Sequence, residues 1–209
     1  MDILIKLFAP VALITYLSVR YCDRPVASFI HDSLYRNRQW SALTSSLPDV
    51  LLLIVILISL PSAVLYFFRK RKSLLDSRTR LLGFLALTLP TAYIVKSVLK
   101  YLAGRVETRY WLHHQQAYEF HWLQGSDNFN GLPSGHMIVF ATLFAVIARY
   151  FTGLRLCCYS VLLVLALLLV ATNYHFVADV ISGAYIGLLL ESCLDRLYIR
   201  NVSFIESRG

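Results

Sequence analysis

Apolar positions along the chain gather into six runs, at about 3–19, 50–68, 81–99, 135–152, 156–175 and 177–195. Each is near the roughly 17 to 25 residues that carry a helix across the hydrocarbon core of a bilayer. Polar residues collect between the runs, and the last two are parted only by "TNYHFVAD", so their connection is very short. The pattern predicts an all-α polytopic membrane protein, six transmembrane helices in one bundle, forming a single domain over 1–209. Pro10, Pro61 and Pro90 fall inside spans, where neighbouring helices satisfy the backbone groups that a kink frees.

Composition agrees: 57% of the 209 residues are hydrophobic and 15% charged, well beyond a soluble domain. The net charge of +8 does not point to nucleic acid, because no basic stripe lies outside the spans and their loops. Membrane lipids are the expected surroundings, since basic residues flanking spans follow from insertion topology and anionic headgroups. "RKRKSLLDSRTR" (69–80) holds six basic residues in twelve and reads as a cytoplasmic loop, which sets both termini in the cytoplasm. The opening "MDILIKLFAPVALITYLSVRYCDRP" lacks a small-residue cleavage site and is read as a first span. Segment 20–49 mixes aromatics with arginines and is expected to lie along the interface. Cys22, Cys157, Cys158 and Cys193 have neither metal-site spacing nor the density of a disulfide scaffold.

This topology brings three polar clusters to one membrane face, opposite the basic loop. Lys96, Lys100, Arg105 and Arg109 close the third span; Ser134, Gly135 and His136 open the fourth; His175 and Asp179 sit at the junction of the last two. In "HFVAD" the histidine and aspartate are four apart, a spacing that shares one helix face. An aspartate there holds one imidazole nitrogen and leaves the other as base or nucleophile. Ser134 is a candidate helix N-cap, and Gly135 permits close approach of a ligand to free N–H groups at a helix start, a ready anion site. Lysines and arginine forks suit phosphate oxygens. Each cluster alone also has an ordinary reading as a helix cap, an interfacial histidine or snorkelling cations, and Lys96, the deepest, is assigned that lesser role. A metal site built from His113, His114 and His121 with Glu119 or Asp127 fits no established ligand spacing, so no metal or other cofactor is expected.

Together the clusters resemble the signature of the type 2 phosphatidic acid phosphatase superfamily. Its second motif is present in full as Pro133-Ser134-Gly135-His136, and the functional end of its third as His175 and Asp179. The resemblance spans about 96–187, with two departures. No arginine lies seven residues after Lys100, where the chain has Glu107, and "KYLAGRVETRYW" offers Arg105 and Arg109 instead. The third motif's arginine falls at Leu169 and its serine at Leu168. The resemblance implies catalysis by His175 as nucleophile, Asp179 as its orienting partner and His136 as acid for the leaving group. It implies phosphate binding by Lys100, Arg105, Ser134 and Gly135, with Arg109 or a residue of segment 20–49 replacing the missing arginine.

The expected function is therefore a membrane phosphatase acting on a lipid phosphate monoester or diphosphate through a phosphohistidine, at the extracytoplasmic face. Compact size and short loops lean towards a bacterial inner membrane, with the site facing the periplasm or exterior. Transfer of the phosphoryl or phospho-headgroup to another lipid is the alternative within the enzyme class. A non-enzymatic transporter or assembly subunit is the alternative outside it, which the presence of both histidines and the aspartate disfavours.

Overall fold

The computed structural model describes residues 2–34, 47–72 and 76–206. Nine α-helices appear among them: α1 (Asp2–Lys6), α2 (Phe8–Leu17), α3 (Asp23–Leu34), α4 (Leu47–Arg71), α5 (Ser77–Ala103), α6 (Thr108–His113), α7 (Gly135–Tyr150), α8 (Arg155–Ala171) and α9 (Val177–Glu206). The described residues form no strand beyond one isolated antiparallel bridge, Arg105 to Phe120. The all-helical class expected from the pattern is what the chain adopts.

Among the described residues, five helical stretches are long and apolar enough to cross a membrane: Ile3–Ser33, Leu53–Arg71, Ser77–Ala103, Thr152–Ala171 and Val177–Tyr198. The expected count of six is not reached. The shortfall is α7, whose sixteen residues rise only about 24 Å at 1.5 Å per residue, against roughly 30 Å of hydrocarbon. It is nevertheless the central helix, packed on α5, α8 and α9, with buried residues from Gly135 to Ala148. A helix shielded by its neighbours is apolar because it is core, which its hydropathy alone does not distinguish from a lipid-facing span.

Two apolar clusters hold α7 in place. Leu51 and Val55 of α4, Leu89 and Ala92 of α5 and Ile138, Val139 and Leu143 of α7 form one. Met137 and Ala141 of α7, Leu162 and Leu169 of α8 and Val180 of α9 form the other. Helices α7 and α9 run side by side in the same direction, in contact at two glycines. A Cβ at Gly183 would lie 2.6 Å from the Ser134 carbonyl oxygen, and one at Gly187 would lie 2.5 Å from that of Ile138. Small residues four apart let helix backbones approach in this way, and here they bring the start of α9 to the start of α7.

Two of the boundaries that differ from the sequence reading bear on the site. The first helix does not stop at 19: a π-helical turn, Ser18–Cys22, passes it on into α3, so residues 20–34 extend a span instead of forming a separate interfacial piece. Residues 35–46 of that expected piece lie outside the described residues. The fifth span ends at Ala171, not 175, because Asn173 takes a left-handed backbone (φ 48°) that stops α8. Asparagine tolerates this region better than most residues. The amides of Tyr174 and His175 then both donate to the Leu169 carbonyl, at 3.0 and 3.1 Å, closing a tight turn before α9.

Candidate active site

The site is assembled at the end of the bundle where α7 and α9 begin and α5 ends. Ser134 caps α7: its Oγ accepts from the Met137 amide at 3.4 Å, and its own N–H donates to the Asp179 carbonyl at 2.9 Å. That bond ties the second motif to the third, and it engages the Ser134 amide, which the sequence reading assigned to phosphate. Gly135 and His136 follow in the first turn of α7 and line a cavity of about 280 Å³. Its other walls bring in Lys96 and Lys100 from α5, Arg109 from α6, and Tyr174 and His175 from the turn before α9.

His175 is 4% exposed, and neither ring nitrogen has a hydrogen-bond partner. Its Nδ1 lies 3.7 Å from Asp179 Oδ2, too long for a hydrogen bond but close enough to feel the carboxylate. This pairing is made across a turn and the first turn of α9, not along one helix face as the i,i+4 spacing suggested. With Nδ1 towards Asp179, Nε2 is the nitrogen left for the cavity. Burial pushes the imidazole below the ordinary histidine range, with Lys100 acting in the same direction and Asp179 against it. The ring is therefore neutral near pH 7, the form in which nitrogen is nucleophilic. The His136 ring lies 6.0 Å from that of His175 and edge-on to Tyr174 at 5.2 Å.

Arg105 is not in the cavity. Gly104 ends α5 in the left-handed region (φ 51°) and turns the chain so that Arg105 points into the protein, 0% exposed. Its guanidinium is held by Asp179 Oδ1 at 2.5 Å, Asp23 Oδ2 at 2.5 Å and the Tyr118 hydroxyl at 2.8 Å. Asp23, in α3, also accepts from the Ala178 amide at 3.0 Å, while Asp179 Oδ2 accepts from the Phe176 amide at 3.0 Å. Both carboxylates are thus fixed in a buried network in which each charge faces an opposite one, the condition under which buried charge is tolerable, although Arg105 Nε has no hydrogen-bond partner. The expected phosphate ligand is instead the strut behind Asp179, because two carboxylates have claimed its fork.

Arg109 does reach the cavity, crossing the Tyr174 ring at 4.9 Å and donating to the Thr172 carbonyl at 3.3 Å. Lys96, set aside as a snorkelling residue, also lines it: a Cβ at Gly135 would come within 2.7 Å of Lys96 Cδ, so the lysine stem crosses that glycine. Leu169, at the place of the missing arginine, is buried among apolar neighbours and serves through its carbonyl.

Sequence reasoning missed Asp23 and Tyr118, which lie far from any motif, and Glu107, which lines the cavity together with Asp127. Among the described residues no three His, Cys, Asp or Glu side chains gather as metal ligands. His114 stacks on Tyr110 and His121 pairs with Glu119 at 3.6 Å.

An all-helical chain with five helices fit to cross a bilayer, carrying a cation-lined cavity around two histidines, has the build of a membrane protein. The family model of the PAP2 superfamily matches residues 81–199, and the chain belongs to that superfamily, whose members are phosphatases or phosphotransferases. Comparisons with curated proteins and with solved structures gave no match.

Proposed function

We propose that this protein hydrolyses a lipid phosphate monoester or diphosphate through a phosphohistidine at His175. The observation that carries this reading is His175 itself: buried, unpartnered at Nε2, and lining a cavity with Lys96, Lys100 and Arg109. Nε2 attacks phosphorus, the N–P bond forms as the ester P–O bond breaks, and His136 gives its proton to the leaving oxygen. His136, now a base, takes a proton from water, whose oxygen displaces His175 and releases phosphate. The lysines, Arg109 and the N-terminus of α7 at Gly135 neutralise the equatorial oxygens, the main catalytic task in phosphoryl transfer. Asp179, held by Arg105 and Asp23, keeps the imidazole oriented and offsets the charge it gains.

Arg69, Lys70 and Arg71 at the end of α4 with Arg78 and Arg80 at the start of α5 support an extracytoplasmic site, since the cavity lies at the other end of α5. The intermediate can also pass its phosphoryl group to a hydroxyl of another lipid. Leu169, apolar where the resemblance calls for arginine, favours keeping this second reading. Protein incubated with a radiolabelled lipid phosphate and denatured in alkaline detergent should carry label that is acid-labile and base-stable, and absent from His175→Ala. Free phosphate as product marks hydrolysis, and a new phospholipid marks transfer. Label retained in His175→Ala would sink the phosphohistidine reading.

A further inference from the structure

The cavity holds two groups that phosphate binding does not use. Glu107 sits where the resemblance calls for an arginine, and it lines the cavity with Asp127. Three cations, Lys96, Lys100 and Arg109, less two carboxylates leave a formal charge of +1, and a phosphate dianion turns this to −1. A site shaped for phosphate alone gains nothing from either acid. Both would repel the dianion unless the rest of the ligand gives them something to bind.

Burial orders the cavity. His136 and His175 are buried at its floor, Glu107 is half-buried, and Asp127 is exposed at the rim. The unpartnered Nε2 of His175 requires the phosphorus at the floor, so the ester's alcohol portion extends past Glu107 towards Asp127. Glu107 lies level with the half-buried cations that hold the phosphate and Asp127 lies outside them, so the pair meets the alcohol where it joins the phosphate. They accept hydrogen bonds from a hydroxyl or pair with an ammonium. Burial pushes the Glu107 carboxyl above its ordinary range, opposed by Lys100 and Arg109, as fits a group waiting for a donor.

We propose that Glu107 and Asp127 form a subsite for the leaving alcohol, selecting lipid phosphates whose alcohol carries a free hydroxyl or ammonium close to the ester oxygen. This rests on the phosphatase reading above and names the substrate class for the same cavity. A neutral, acyl-blocked alcohol gives the two carboxylates no donor, and binding phosphate draws Lys100 and Arg109 away from Glu107. A donor-bearing alcohol satisfies them and restores the charge balance. Polar sites discriminate strongly in this direction, because an analogue lacking the donor leaves polar groups of the site unpaired.

The full-length protein in detergent or vesicles is assayed for phosphate release from three lipids. One is phosphatidic acid, with no donor; one is a glycerophosphate-headed lipid with a free hydroxyl; one is a sphingoid base phosphate with an ammonium. The donor-bearing pair should exceed phosphatidic acid in kcat/KM by about tenfold or more. Glu107→Gln should remove most of the ammonium preference, and Glu107→Ala the preference for both. Asp127→Asn, at an exposed position where folding is not at risk, should weaken the ammonium preference by a few fold. Equal rates on all three lipids, or variants that slow all three by one common factor, overturn this subsite and leave the phosphatase reading standing. Release from none of the three overturns this subsite, and the phosphatase reading falls as well when a polyprenyl diphosphate also releases no phosphate.

Discussion

Two ionic clusters sit at opposite ends of the α7–α9 pair, and they differ in what they leave undone. At the far end Arg149 Nε and Nη2 bond Glu191 at 2.5 and 2.8 Å, and Nη1 reaches Asp195 at 3.0 Å. Every charged group there has a partner, and Arg149 keeps 40% of its side chain exposed. At the site end Arg105 is likewise shared by two carboxylates, yet one of them, Asp179, also faces a histidine that has no hydrogen-bond partner at either nitrogen. The first arrangement is a staple. The second is a staple with a reactive group attached, and the unpartnered imidazole is what separates them.

The comparison breaks first at His175. Replacing it with alanine should lower phosphate release by roughly 10³-fold or more, the scale for loss of a covalent nucleophile. The bundle should survive, because the turn is closed by backbone bonds to Leu169. A variant as fast as its parent would reduce the site end to a second staple.

Asp23→Asn comes next, and it acts at a distance. Arg105 now divides its charge between two acids; with one neutralised it pairs more fully with Asp179, and the imidazole receives less support. The turnover rate should fall by about ten- to a hundredfold, the range for residues that orient a reactive group through another, with KM nearly unchanged. The groups facing His175 are Asp179, Lys100, Arg105, His136 and Tyr174. Because burial already holds the His175 pKa below its usual 6.5, the acid limb of the parent's kcat/KM profile should lie below that value. In Asp23→Asn it should move lower still, since weaker support from Asp179 favours the neutral ring. A fall in activity with an unmoved limb would mean that Asp23 only holds the fold together.

How much of this was legible follows from what each feature depends on. Apolar runs mark helices because burial in lipid or protein is written residue by residue, and four of the six expected runs coincide with helices fit to cross a membrane by themselves. Another, 3–19, extends into α3, and the sixth, α7, falls short of a span by length alone, because a buried core helix and a short span share one hydropathy. That His136 and His175 line one cavity with Asp179 behind was legible because each stands in a short local motif, Pro133-Ser134-Gly135-His136 or His175 to Asp179. Arg105 was not, since the partners that claim a guanidinium lie 82 residues before it and 74 after it. Lys96 was misplaced for a similar reason: its depth in α5 is readable, but the glycine its stem crosses belongs to α7.

At the staple end the effects should be thermal, not catalytic. Arg149→Ala leaves Glu191, whose side chain is 4% exposed, without its partner. A buried carboxylate losing its hydrogen bonds costs about 1–3 kcal/mol, so thermal unfolding in detergent should shift down with activity retained below the transition. Loss of activity at permissive temperature would join the two ends functionally and blur the contrast between them.

The smallest effect belongs to a third ionic contact that resembles neither end. Asp76 caps α5 in the exposed basic loop, accepting from the Thr79 hydroxyl at 2.7 Å and the Thr79 amide at 3.0 Å, with Arg69 at 2.7 Å. Those bonds, the Thr79 hydroxyl foremost, hold its carboxyl down at about 2 against an ordinary 3.8. A depressed acid contributes stability that is fully present above the unfolded value and is lost as pH falls through the folded one. Asp76→Ala should therefore unfold at a slightly lower temperature than the parent at neutral pH, by less than Arg149→Ala does, and the gap should close as pH drops from 4 towards 2. A gap that persists at pH 2 would assign the effect to helix propensity or loop packing instead of the ionised cap, because a protonated carboxyl has lost its advantage as an acceptor by then.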